Sequence, residues 1–236
     1  MENNVMEYNN LGSRIGVDIG GTFTDVVLEK GSQRYTSKVL TTPKSPEEGV
    51  KQGIQQVLMA SKTNPSEIIL IIHGTTLATN ALIERKGVKT AFVTTEGFRD
   101  SVEMGTESRF EQYDINMDKP QPLVPRQLRF TIPERLNADG HIIRELDEIA
   151  VSNLSQPLLN AGVESVAIGF LHSYVNPLHE IRTYEMLSKA LPDITYTLSS
   201  EVAPEMREYE RFSTACANAY VQPIMAKYLR RLEAEL

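Results

Sequence analysis

The sequence predicts an α/β fold on a mixed sheet, in which an antiparallel N-terminal meander joins parallel strands flanked by helices and a C-terminal helical segment follows. Three observations predict it. Up to Leu40 three apolar runs are separated only by the short polar stretches Gly20-Gly21-Thr22 and Lys30-Gly31-Ser32, too brief for a helix. From Ser45 onward, helical periodicities alternate with short apolar runs, the order of parallel strands joined by crossover helices. Beyond Pro204 the pattern is helical to the end, with Pro223 as a kink or break.

Taken in order, the strands of the meander are Arg14 to Ile19, Asp25 to Glu29 and Arg34 to Leu40. Ser45-Pro46-Glu47-Glu48 reads as a capping box with proline at the first helical position, and Val50, Ile54, Val57 and Leu58 give that helix its apolar stripe. Ile68 to Ile72 is an unbroken apolar run, as for a strand covered on both faces. Thr75 to Lys86 follows as a helix with Gly87 as its cap, and Lys89 to Thr94 as a strand parallel and adjacent to the last. Glu96 to Pro125 is a long polar loop of the kind that is functional or mobile. Arg126 to Ile132 is a strand, Asn137-Ala138-Asp139-Gly140 a hairpin turn, and Pro157 divides the helix that begins near Asp147. Val163 to Phe170, the helix Pro177 to Ala190 capped by Asn176, and Ile194 to Leu198 complete the α/β part. The domains expected are a disordered tail at 1–12, an α/β domain at 13–200 and the helical start of a following domain at 201–236.

The chain is organised around Asp18-Ile19-Gly20-Gly21-Thr22-Phe23-Thr24-Asp25. Glycines without a Cβ can take positive φ and let a bulky group reach backbone N–H donors. Thr22 and Thr24 add hydroxyls, and the Asp18 carboxylate suits Mg²⁺, held directly or through its waters. The sum is a phosphate cradle with a metal anchor. A P-loop needs a lysine after its glycines, and both it and the dinucleotide fold need a helix next, whereas here a strand follows. The structural alternative is an ordinary tight hairpin, which leaves the two acids and two threonines around it without a purpose.

Two further stretches fall at carboxyl ends of strands, where ligands bind in open α/β sheets. His73-Gly74-Thr75-Thr76 also opens a helix, so His73 can act as a general acid/base or hydrogen-bond a carbonyl or phosphate oxygen, with Thr75 in support. Its alternative is a helix cap beside a satisfied histidine. Arg99, in Thr94 to Asp100, can steady phosphate oxygens or an acidic substrate, or simply pair with Asp100 or Glu103. Arg109 in the long loop can close over a ligand. His172, His179, Glu180 and Asp193 match no metal-ligand spacing, so solvated or capping roles are expected. Cys216 lies among alanines and reads as a packed core residue, and Arg207 to Arg211 as a solvated helix face.

With 41% hydrophobic and 23% charged residues the chain is that of an ordinary globular protein. A net charge of −7 argues against a broad nucleic-acid surface. Its one cysteine excludes an internal disulfide and, with no signal-like start, favours the cytoplasm. No apolar run approaches the roughly 20 residues of a membrane span.

The wording D-x-G-G-T-F-T-D resembles the first phosphate motif of the actin/hexokinase/Hsp70-like fold, with its ribonuclease H-like lobe, and specifically that of the hydantoinase A/5-oxoprolinase family. His73 to Leu82, Thr94 to Asp100, Pro133-Glu134-Arg135, Leu171 to Tyr174 with Asn176-Pro177, and Arg207 to Arg211 continue the resemblance in order, nearly from Arg14 to the C-terminus. The resemblance implies ATP and Mg²⁺, with Asp18 on the metal, Gly20, Gly21, Thr22 and Thr24 on phosphate, and His73, Thr75 and Arg99 on substrate or the γ-phosphate. It implies a cyclic-amide substrate, a hydantoinase B-like second subunit or the remainder of a longer protein as partner, and an oligomer. The phosphorylating subunit of a ketone carboxylase, or a non-catalytic half-domain, are the alternatives. A helix that runs uncapped to Leu236 points the same way, to a chain that continues in a larger protein.

Overall fold

The computed structural model describes residues 12–42, 45–106, 113–116 and 120–235. Residues 1–11, most of the expected tail, and Arg109 lie outside them. By their contacts the chain forms two compact units, one of the residues up to Glu84 together with those from Ile224 on, the other Arg85–Pro223.

In the first unit, β1 (Ser13–Ile19), β2 (Phe23–Lys30) and β3 (Gln33–Leu40) form the expected antiparallel meander. Side chains alternate across the sheet, so Ile15, Val17 and Ile19 of β1 and Val26 and Leu28 of β2 are buried together. Helix α1 (Pro46–Ser61) covers that face with Val50, Ile54 and Val57. A glycine lets it come close: a Cβ on Gly53 would stand 2.5 Å from Val26 Cγ2. The capping box expected at its start does not form, since Ser45 makes no side-chain cap bond. Glu47 is instead buried and paired with Arg231, Nη1 to Oε1, at 3.3 Å.

Strand β4 (Ile68–Thr75) lies parallel to β1 at the edge of the order β3-β2-β1-β4, and α2 (Leu77–Ile83) follows it. Two expectations are corrected here. The next strand, β5 (Thr90–Thr95), is not a neighbour of β4 but belongs to another sheet. The crossover rule fixes the hand of a connection within one sheet and does not require the two strands to share one. Nor is β4 covered on both faces: Ile69, Leu70, Ile71 and Ile72 are 55%, 44%, 37% and 61% exposed.

The second unit is built on a four-stranded parallel sheet. After β5 come the short α3 (Ser101–Met104), then β6 (Arg129–Ile132) and the hairpin of β7 (Arg135–Leu136) and β8 (Ile142–Arg144). Asn137 Oδ1 accepts from the N–H groups of Asp139 and His141 and so shapes the hairpin turn. The predicted helix is divided as expected into α4 (Glu148–Asn153) and α5 (Ser155–Ala161). Then follow β9 (Ser165–Gly169), α6 (Leu178–Ala190), β10 (Thr195–Leu198), α7 (Ser199–Val202) and α8 (Glu208–Glu235). The strand order is β10-β9-β5-β6, and β5 and β9 are buried throughout. This accounts for their continuous apolar runs. Together the two sheets make the expected mixed α/β fold, with a long C-terminal helix.

Helix α8 runs unbroken through Pro223, and the two units divide at that residue. The expected solvated face at its start is corrected at Arg211, which is 1% exposed. Its guanidinium donates to the carbonyls of Glu205, at 2.7 Å, and Phe170, at 3.1 Å, so it closes a loop end that water would otherwise solvate.

Candidate functional site

Parallel pairing of β1 with β4 sets Val17 beside His73, Asp18 beside Gly74 and Ile19 beside Thr75. The Asp18 loop and the His73 stretch therefore share the carboxyl edge of one sheet, as the sequence led us to expect. Gly74 lies beside the Asp18 carboxylate, where a Cβ would be in ordinary van der Waals contact with Oδ1, at 3.7 Å.

The turn from β1 to β2 is held from below. Gly20 N donates to Phe23 O at 2.9 Å, and Thr41 donates twice, from N to Thr22 O at 2.9 Å and from Oγ1 to Gly20 O at 3.0 Å. Thr24 is wholly buried, its hydroxyl 3.0 Å from Thr41 Oγ1, so it braces the turn from inside. Asp18, Gly21 and Thr22 are exposed. Among the described residues no acceptor meets the N–H of Gly21 or Thr22, which leaves two backbone donors beside a free hydroxyl and a carboxylate. Neither Gly20 nor Gly21 takes the positive φ expected of it. What their missing Cβ provides is close approach, since one on Gly20 would lie 3.1 Å from Phe23 O and one on Gly21 3.4 Å from Asn80 Nδ2.

On β4, Thr75 Oγ1 accepts from Leu77 N at 3.1 Å, the capping role that its place before α2 allows. Thr76 ties the start of α2 to β1, donating from N and Oγ1 to Ile19 O at 3.1 and 3.3 Å. His73 is half-buried, and its Nε2 lies 2.5 Å from Tyr228 Oη of α8. Burial holds the imidazole below its ordinary range, against the opposing pull of the Asp18 charge. Tyr228 carried no local signal, standing 155 residues from its partner in a stretch legible only as helix.

Arg99 belongs to the other unit, in the turn after β5. The acids proposed as its ion-pair partners are taken by other arginines, Asp100 by Arg126 at 3.1 Å and Arg129 at 3.3 Å, and Glu103 by Arg129 at 2.7 Å.

The second unit also holds a buried polar cluster that the sequence did not bring together. Glu134 accepts from Thr95 Oγ1 and lies 2.7 Å from His179 Nδ1, while Leu171 N donates to Thr95 Oγ1 at 3.0 Å. Glu180 accepts from Phe170 N at 2.9 Å, Ser199 Oγ at 2.6 Å, and Ser200 N at 2.9 Å. The solvated or capping role expected of His179 is thereby corrected, for the residue is 3% exposed and binds a buried carboxylate. Among the described residues no group of three or more His, Cys, Asp or Glu side chains can hold a metal ion. Cys216 is buried and its thiol is pushed up to about 12 by burial, as suits a core residue. No helix among the described residues is long and apolar enough to cross a membrane.

Comparison with known proteins adds the kinship. The sequence pattern of the hydantoinase/oxoprolinase N-terminal region matches residues 14–191. The caprolactamase subunit alpha of Pseudomonas jessenii is 39% identical over 230 residues, which take in 94% of this chain and 33% of that one. The acetophenone carboxylase gamma subunit of Aromatoleum aromaticum is 32% identical over 228 residues, 89% of this chain and 31% of that one. The crystal structure of ATP-dependent caprolactamase from Pseudomonas jessenii superposes with a TM-score of 0.84 at 38% identity, over 94% of this chain and 33% of that one. The chain thus spans about one third of the length of these relatives. A pattern matched over three quarters of the sequence places the chain in the family of the hydantoinase/oxoprolinase N-terminal region.

Proposed function

We propose that the chain is the nucleotide-binding part of an ATP-dependent cyclic-amide hydrolase. The observation that carries this is the edge of the first sheet, where the exposed Asp18 carboxylate, the unengaged N–H groups of Gly21 and Thr22 and the Thr22 hydroxyl follow one another in the turn after β1, with His73 on the adjacent strand β4. Backbone donors and a hydroxyl suit phosphate oxygens, and a single carboxylate suits an ion that takes most of its ligands from phosphate and water. These hard oxygen donors fit Mg²⁺, which when bound would offset charge on the phosphate oxygens. Thr24 then serves the cradle as its internal brace. Thr75 orders the helix start beside it, and Arg99 is reserved for substrate or γ-phosphate in the assembled protein.

Lactam and hydantoin amides resist hydrolysis because resonance makes the carbonyl carbon a poor electrophile. Transfer of the γ-phosphoryl group to the amide oxygen removes that resonance and opens the carbon to water. For this the protein needs positioning and charge stabilisation more than covalent chemistry of its own, which is what a backbone cradle offers. A second subunit of hydantoinase B type, or further chain of the same protein, would complete the site. A cytoplasmic oligomer is the setting we propose. The ketone carboxylase alternative, in which an enolate oxygen accepts the phosphoryl group, draws support from the acetophenone carboxylase relative.

Calorimetric titration of the longer protein with Mg·ATP tests the cradle. Asp18→Ala and Gly21→Val are each expected to weaken binding at least about tenfold, the loss of one charge-assisted contact or of close approach. Unchanged affinity in both would sink the assignment. Lactam-dependent against ketone-dependent ADP release then decides between the two activities, and release with neither leaves a non-catalytic binding module.

A further inference from the structure

His73 was left with two possible roles, as an acid/base or as a hydrogen-bond donor to oxygen, and its surroundings separate them. Its ring and that of Tyr228 are 5.5 Å apart between centroids and tilted by 34°. Tyr228 is 3% exposed and packs in the core of the first unit with Ile15, Val17 and Leu232. Burial, aided by the Glu47 carboxylate, pushes its phenol up to about 12, so the hydroxyl keeps its hydrogen. One turn further along α8, Arg231 holds Glu47 and so ties this stretch to α1.

A neutral imidazole has one donor and one acceptor nitrogen, and a phenol one hydrogen to give. If Nε2 carried the proton and donated to Tyr228 Oη, the phenolic hydrogen would have no acceptor among the described residues. If the phenol donates to Nε2, the hydrogen of the buried phenol has its acceptor.

We propose that Tyr228 is a positioning residue whose hydroxyl donates to Nε2 of His73, so that the ring carries its proton on Nδ1 and serves the site as a hydrogen-bond donor and not as a base. This deepens the reading of His73 as a contact for substrate or the γ-phosphate and rests on it. A neutral Nδ1–H suits an oxygen on which negative charge grows, such as an amide oxygen accepting a phosphoryl group. The titratable groups that face His73 and its partner are Asp18 on β1, Glu47 on α1, and Tyr228 and Arg231 on α8.

Long-range ¹H–¹⁵N correlation spectra of the histidine-labelled chain read the tautomer directly, with His73 assigned by its loss in a His73→Gln variant. The wild-type chain is expected to show the Nδ1–H form. Tyr228→Phe keeps the ring but removes the donor that favours the neutral imidazole, so the tautomers should mix and the His73 titration midpoint rise by about one pH unit. An Nε2–H form in the wild-type chain overturns the proposal without any variant. So does a Tyr228→Phe chain whose His73 tautomer and midpoint match the parent's. Turnover by His73→Ala in the longer protein equal to that of the parent would overturn the functional reading of His73 instead, and would leave the tautomer result untouched.

Discussion

Glu134 exposes none of its side chain and is met by a histidine and a hydroxyl. A carboxylate in that position is tolerable only while both partners remain, because a buried charge stripped of its partner costs far more than the pair contributes. His179→Ala is therefore expected to destabilise the second unit by about 3–5 kcal/mol in denaturant unfolding. Adding Glu134→Gln should recover part of that loss, since it removes the stranded charge; a double variant no more stable than His179→Ala would show that the cost lies in packing. The sequence made Asp18, Gly20, Gly21 and Thr22 legible because a turn is local and its residues report their own chemistry. It did not reveal the pairing of Glu134 with His179, 45 residues apart, or the burial of Arg211. Charged side chains in a sequence look alike whether they face water or a carbonyl, and only the fold decides which.

Helix α1 shows how an element's own preference yields to its packing. Gly53 lies in mid-helix, where alanine would be favoured by about 1 kcal/mol on propensity alone. The Cβ it would gain lies 2.5 Å from a methyl of Val26, which is 2% exposed and has no room to turn away. Overpacking of that kind costs about 1–3 kcal/mol, so Gly53→Ala should lower stability by a net of up to ~2 kcal/mol, measured as a lower denaturation midpoint. A gain in stability would mean that α1 can lift from the sheet at little cost. The meander, α1 and the buried strands β5 and β9 could be anticipated because their periodicity follows the surfaces that cover them. Strand β4 could not, since five consecutive apolar residues announce a need for cover without naming its source. The same limit led us to seat β5 beside it.

For the molecule as a whole, the deciding fact is that the first unit is discontinuous in sequence and the second is not. The core of the first unit includes Tyr228 and Leu232, whereas that of the second is complete without any residue beyond Ala219. A chain ending at Pro223 is thus expected to keep slow hydrogen exchange in β5 and β9 and lose it in β1, β2 and α1. Equal protection in both sets would show that the last residues of α8 are dispensable to the first unit. The order of synthesis gives this arrangement another meaning. As the chain leaves the ribosome the second unit has everything it needs once Pro223 has emerged, while strands made long before must wait for a piece of helix made after it. Closing that interval of sequence carries the entropic cost of a long loop, and domains folding in turn expose their unfinished neighbours in the meantime. The Asp18 cradle, translated before the whole of the second unit, would acquire its final form only after it.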